Sequence, residues 1–347
     1  MINDVTVTID VQKVTGTAGM GFPLIIYKEP TPSEGEATAS PYTELKTQNF
    51  SSEVTALKDF VDIMLGGSNP PDKIATMSYT GTVTADSLKT LLEGVETKGW
   101  RQVVIIDYKG ATDYGTLLDY IKGTKKVIYV PKTLIPSNYE VAQNKRVIAV
   151  AGESLTGTDD KPFETAIDNI ADIFGATCGL AAGSFTYKNI IVNGGHVMDN
   201  DEYATAVKAS NAYPFIAVLE KAGDNVTSDG QAISGDYIDV VDSEDYIVNQ
   251  IEYQLQKLLN VQNKIPYTNN GIAMLESAVL NVLVGAYNNG MIADNEDGSP
   301  AYDVSFAMRE DAEAEDIQAR RYIGGKFEFV LSGAIHTVKV NGTIKYV

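Results

Sequence analysis

Two histidines, one cysteine and several acidic loops are the residues in this chain with the chemistry of a reagent. His196 lies in the Gly/Asn-rich stretch NGGHVMDND and His336 in the alternating run GAIHTVKV. Neither has another His, a Cys or a carboxylate at ligand spacing along the chain, so the sequence predicts no zinc site. Cys178, the one cysteine, can form no internal disulfide, and its apolar setting DIFGATCGLAAG reads as that of a buried small hydrophobe. The residue types leave a Ser-His-Asp triad open, but GES and AGS lack the flanking glycines of a nucleophile elbow. GGKF near Gly324 has the lysine of a phosphate loop without its Ser/Thr or its upstream glycine. GTAGMG precedes a strand pattern, whereas a dinucleotide-binding turn follows one. The stretch Asn225–Asp236 puts Gly230 sixth, as a calcium loop does, but Thr227 stands third and Asp236 twelfth, and it reads as a turn, as does DNEDG. No catalytic, cofactor-binding or metal-ligating residue is therefore assigned, and no cofactor is expected.

The elements around these residues are those of a folded scaffold. The 347 residues are 44% hydrophobic with a formal charge of −19. That charge disfavours nucleic acid and anionic lipid as partners. No run approaches the roughly 18 apolar residues of a membrane span, so none is expected. MINDVTVTID lacks the basic start and apolar stretch of a secretory signal, so a cytoplasmic product is expected.

From Phe22 to Gly152, short apolar runs (FPLIIY, KIATMSY, RQVVIIDY, KKVIYVP, KRVIAVAG) alternate with helical spacings. Thr84 is the expected N-cap of the second helix and Thr112 or Asp113 that of the third. This order predicts a parallel or mixed sheet with helices on both faces. Long helices follow at PFETAIDNIADIFGATCGLA, SEDYIVNQIEYQLQKLLNV and NNGIAMLESAVLNVLVGAYNNGMI. Strands are expected at KNIIVNG, YPFIAVLEKAG and DVSFAM, a short charged helix at EDAEAEDIQARR, and a domain boundary near Asn193–Asp201.

Both ends of the chain carry strand patterns. Val5, Val7, Ile9 and Val11 alternate with Thr6, Thr8 and Asp10, and a joint containing Gly16 and Gly19 follows. At the other end, Ile335, Val338, Val340 and Ile344 flank Asn341-Gly342, a two-residue hairpin signal. Residues 317–347 carry Arg320, Arg321, Lys326, Lys339 and Lys345 against Glu328 alone, a +4 segment suited to an acidic surface such as another copy.

EDIQARRYIGGKFEFVLSGAIHTVKVNGTIKYV resembles the end of contractile-tail sheath proteins of bacteriophages and phage-tail-like bacteriocins. The features that carry the likeness are an arginine closing a charged helix, an extended segment, and GAIH leading into a hairpin. YTNNGIAMLESAVLNVLVGAYNNGMI and GFPLIIY are similar to the family as well. The resemblance implies a structural, non-enzymatic subunit of mixed α/β fold. Residues 1–20 would be an N-terminal strand arm, 21–195 an α/β outer domain, 196–322 an inner, tube-proximal α+β domain, and 323–347 a C-terminal strand and hairpin arm. It implies hexameric rings stacked as a helix around an inner tube, joined by exchanged strands at both ends, and a contraction that drives the tube through a cell envelope. The partners it implies are further copies of the chain, the tube protein, a baseplate and a tail terminator. Assembly would take place in the bacterial host cytoplasm, before release as part of a phage or phage-like particle. Glu313, Asp316, Arg320 and Arg321 would lie on the tube-facing helix, and Gly16, Gly19, Gly324 and Gly325 would be hinges. The competing expectation is an α/β enzyme acting on a small metabolite, which the βα alternation alone motivates.

Overall fold

The computed structural model describes residues 21–29, 42–81, 83–110, 113–156, 160–209 and 212–340. The arm at Val5–Val11, the joint at Gly16 and Gly19, and the hairpin at Asn341–Ile344 lie outside them.

The first half is built on a six-stranded sheet in the order β2-β3-β1-β4-β5-β6. Its strands are β1 (Phe22–Lys28), β2 (Thr43–Lys46), β3 (Lys73–Tyr79), β4 (Trp100–Ile105), β5 (Val127–Pro131) and β6 (Val147–Val150). All neighbouring pairs are parallel except β2 with β3. The central strand β1 buries Leu24, Ile25 and Ile26 alike, because helices cover both faces. Helices α1 (Thr55–Leu65) and α4 (Lys161–Thr177) pack together, with Phe60 edge-on to Phe174 and Phe174 edge-on to Tyr129 of β5. Helices α2 (Ala85–Val95) and α3 (Gly115–Lys122) form a second packed pair.

The local signals hold in most places. The Thr84 hydroxyl accepts from the backbone N–H of Ser87 and caps α2. The cap of α3 differs from the expectation: Tyr114 takes that position, and Asp113 instead accepts from Ala85 N–H and the Tyr108 hydroxyl. Asp113 is thus drawn out of its own helix by the neighbouring one.

Helix α5 (Asn200–Ala206) leads to a hairpin of β7 (Val218–Lys221) and β8 (Asp224–Thr227). The expected strand KNIIVNG is no strand: Ile191 makes one isolated bridge, to Val226. The calcium-loop candidate Asn225–Asp236 begins inside β8 and so has no loop geometry at its first positions.

Helices α6 (Ile238–Val261) and α7 (Asn269–Asn288) form an antiparallel pair, covered by the two-stranded sheet of β9 (Tyr302–Phe306) and β10 (Gly325–Phe329). Helix α8 (Ala314–Gln318) is shorter than the charged run suggested. The buried hydrophobic residues form two clusters, one spanning Leu24 to Ile238 and one spanning Ile247 to Ala301, with Phe327, Phe329 and Leu331 packed on the second. By packing, the division therefore falls within α6. The expected boundary near Asn193–Asp201 falls inside the first cluster, which includes Met198, Phe215 and Ile233.

Candidate assembly surface

The β9–β10 sheet is the first part of this surface. Tyr302, Val304, Phe306, Phe327 and Phe329 alternate onto the second core, while Asp303, Ser305, Lys326 and Glu328 face outward. Gly325 lies opposite Phe306, and a Cβ there would come within 2.8 Å of the phenyl ring. The glycine lets that ring fold across the strand, where it also stacks on Tyr322. Gly324 is tied in as well, because its carbonyl accepts from Ala307 N–H. Ala307 with Gly324 and Ala301 with Val330 are hydrogen-bonded pairs. By antiparallel alternation, the backbone groups of Val304, Phe306, Phe327 and Phe329 point away from the partner strand. Among the described residues this sheet has two strands, so both of its outer edges are open.

The segment after β10 is its counterpart. Ile335, Val338 and Val340 are 86%, 76% and 85% exposed and belong to no strand among the described residues. Clustered apolar side chains at such exposure mark an interaction surface.

The expected tube-facing residues divide into two pairs. Glu313 precedes α8 and Arg320 follows it with φ of 55°, both exposed. Asp316 is buried and accepts from Arg321 Nε at 2.9 Å. That pair ties Arg321 to the helix end while its side chain stays 67% exposed, so Glu313, Arg320 and Arg321 are outward charges and Asp316 is not.

Helix α7 presents a second surface. Leu280 and Val284 are exposed on its outer side, and Glu276 is its one charged residue. It is also long and apolar enough to cross a bilayer by length and composition, which the count of consecutive apolar residues did not suggest. In the fold, its other side packs Val279, Leu283 and Ala286 against α6 and the β9–β10 sheet. A groove of about 500 Å³ runs beside it, lined by Tyr246, Leu258, Val261 and Val282 among others.

A buried ion network fixes this half on the first. Arg101 opens β4 and Arg146 precedes β6; both point at the first turns of α6. Arg101 Nη2 lies 2.8 Å from Asp242 Oδ1 and 2.6 Å from Asp245 Oδ2. Arg146 Nη2 donates to Asp245 Oδ1 at 2.9 Å, and Nη1 to Oδ2. The Tyr187 hydroxyl donates to the other Asp242 oxygen at 3.0 Å. Burial alone would raise Asp245, but Arg101 and Arg146 outweigh it and hold its carboxyl at about 2. The sequence reading missed this network. A signal was there, since Arg101 and Arg146 are the only arginines before Arg309 and each stands at the start of a strand.

The fold gives the candidate reagents structural surroundings. His196 lies 3.0 Å from Asp168 and 3.7 Å from Glu153, carboxylates that sequence spacing did not place beside it. Among the described residues, no group of three His, Cys, Asp or Glu side chains is arranged to hold a metal. Cys178 packs against the first core, and burial pushes its thiol up to about 12, leaving it a poor nucleophile.

The family model described as E217 tail sheath protein gp31-like, C-terminal domain, matches residues 238–300, which hold α6, α7 and the approach to β9. Over its length the chain superposes on the anti-feeding prophage (AFP) helical sheath in the contracted state. The TM-score is 0.65 at 16% identity, covering 99% of each chain. A chain of the AFP baseplate, six-fold symmetrised, gives 0.62 at 15%, covering 100% of this chain and 99% of the other. The PVC sheath complex of an extracellular contractile injection system, also contracted, gives 0.58 at 13%, covering 99% and 98%. Comparison with curated proteins gives no match. The mixed α/β fold of this chain is thus the fold found in contractile-sheath assemblies.

Proposed function

We propose that the chain is a structural, non-enzymatic subunit of a contractile sheath. It polymerises as stacked hexameric rings around an inner tube, and its contraction drives the tube through a cell envelope. The observation that carries this reading is the pairing of an open-edged two-stranded sheet with an exposed arm of strand-forming residues in the same chain. The edge needs a strand and the arm needs a sheet. Joining the arm of one copy to the edge of the next satisfies both, in the mode of strand addition. Each main-chain hydrogen bond nets about 0.5–1.5 kcal/mol, so a strand of about six residues contributes a few kcal/mol per joint. Repetition over a lattice makes that large.

The exchanged residues in this reading are Val5, Val7, Ile9 and Val11 of one arm and Ile335, Val338, Val340 and Ile344 of the other. Glu313, Asp316, Arg320 and Arg321 belong to the tube-facing helix and its flanks, where Arg321 also pairs with Asp316. Of the expected hinges, Gly324 and Gly325 are held in the β9–β10 sheet, so Gly16 and Gly19 take up the rotation between rings while the strands stay paired, and the stored energy lies in two alternative packings between subunits. The tube protein, a baseplate and a terminator complete the partners. The particle assembles in the bacterial host cytoplasm and is then released. The contracted sheaths and the six-fold symmetrised baseplate among the structural matches support this reading.

Negative-stain microscopy of the purified chain is the direct test. Hollow tubes or rings are expected. A monodisperse monomer at high concentration with both arms intact would sink the proposal.

A further inference from the structure

From Ser332 to Val340 every residue is exposed except one, His336. The chain leaves β10 with Ser332 N–H donating to Met291 O and turns at Gly333, where φ is 62°. It then drops the His336 imidazole onto the other half of the molecule. Nε2 shares a hydrogen bond of 2.8 Å with the Thr186 hydroxyl, 150 residues away in sequence. The ring meets Tyr237 edge-on, centroids 4.7 Å apart. Its Nδ1 is buried, as is the Oδ1 of Asp239. Thr186 lies in the loop after α4 and Tyr237 just before α6, whereas Leu331 packs on the second core. One side chain therefore pins an otherwise exposed arm across the junction of the two packed clusters.

We propose that His336 is a positioning residue for assembly: it roots the C-terminal arm on its own subunit at Thr186 and Tyr237, so that the strand handed to a neighbouring copy begins at Thr337. This rests on the strand-exchange reading above and narrows it: Ile335 then stays with its own subunit, and Val338, Val340 and Ile344 are the residues handed over. A free arm leaving at Ser332 could point in many directions, and ordering it would cost conformational entropy at every joint. An arm pinned at His336 pays part of that cost within the folded subunit. Its origin is also fixed to both clusters, so a shift of one against the other redirects the strand.

The test uses the full chain with Thr186→Val, His336→Ala, their double variant and His336→Gln, which keeps a polar group able to reach Thr186. Thermal melting establishes that each folds. The chain has two histidines, so the imidazole nitrogen signals of the free subunit can be told apart by NMR. The hydrogen-bonded Nε2 signal of His336 should be lost in Thr186→Val. Thr186→Val and His336→Ala should each raise the critical concentration for tube formation roughly threefold to tenfold, the effect of one side-chain hydrogen bond. The double variant should do no worse than either, and His336→Gln should recover part of the loss. Native critical concentrations in both single variants would overturn the proposal. So would faster assembly, which would make the contact an inhibitory latch. Deleting residues 337–347 separates the two readings. If the truncated chain still polymerises, strand exchange itself fails and the root fails with it. If truncation blocks assembly while Thr186→Val and His336→Ala assemble as the native chain does, only the root is wrong.

Discussion

Arg146 grips Asp245 with both terminal nitrogens of its guanidinium, Nη2 to Oδ1 at 2.9 Å and Nη1 to Oδ2, across 99 residues of sequence and with both side chains buried. The contact places α6 against the edge of the sheet where β4 and β6 begin. It therefore sets where α7 and the β9–β10 sheet stand. Arg146→Met keeps most of the volume and leaves Asp245 with Arg101 alone. The expected loss is about 3 kcal/mol of unfolding free energy, the low end for breaking a buried pair from one side. Urea titration measures it, and an unchanged midpoint would show that the pair contributes no net stability.

The same carboxylate makes stability depend on pH in the acid range. Asp245 is held at about 2 in the fold against an ordinary value of 3.8. A carboxyl depressed by folding contributes stability that is complete above its unfolded value and disappears as pH falls through the folded one. The native chain should lose that contribution between about pH 4 and pH 2. Asp245→Asn should be less stable at neutral pH and show a shallower decline over that window in melting temperature against pH. An equally steep decline in the variant would assign the acid limb to other groups.

Asp172 titrates with the opposite sign. Burial, with Asp168 beside it, raises its carboxyl to about 6 from 3.8. A raised carboxyl favours the fold while protonated, so this contribution is complete below about pH 4 and is lost as pH rises through about 6. Asp172→Asn cannot ionise and should remove that decline, making the variant the more stable chain at pH 7. A native-like profile for Asp172→Asn between pH 4 and 6 would contradict the assignment.

The outer side of α7 carries no charge at Leu280 or Val284, and a chain of net charge −19 can approach its own copy most easily through such a face. Leu280→Lys and Val284→Lys should leave the stability of the subunit within about 0.5 kcal/mol, as exposed substitutions do. Both should weaken assembly in sedimentation velocity. Assembly at native concentration in both variants would remove α7 from the contact surface.

Val338 is exposed and outside any strand of its own subunit. Proline there removes a ladder donor without touching a packed residue. Val338→Pro should melt like the native chain and fail to form tubes. Tubes of normal morphology would mean that the arm does not enter a neighbour's sheet as a strand.

The sequence by itself determined the elements whose signals are local. The apolar runs of β1, β3, β4, β5 and β6, the helical spacing of α1, α4, α6 and α7, and the Thr84 cap all depend on residues within a turn or two of each other. Periodicity and capping chemistry therefore suffice to place them. The alternation in the closing segment is likewise a local pattern, but residues 332–340 form no strand within the subunit. Tertiary structure decided whatever depends on residues far apart. Asp113 left its own helix to serve α2, and KNIIVNG found one bridge instead of a ladder. Arg101 and Arg146 met Asp242 and Asp245 across 141 and 99 residues, and His336 met Thr186 across 150. An ion pair or a hydrogen bond acts over a few ångströms of space, and sequence spacing carries no record of that distance until the chain has folded.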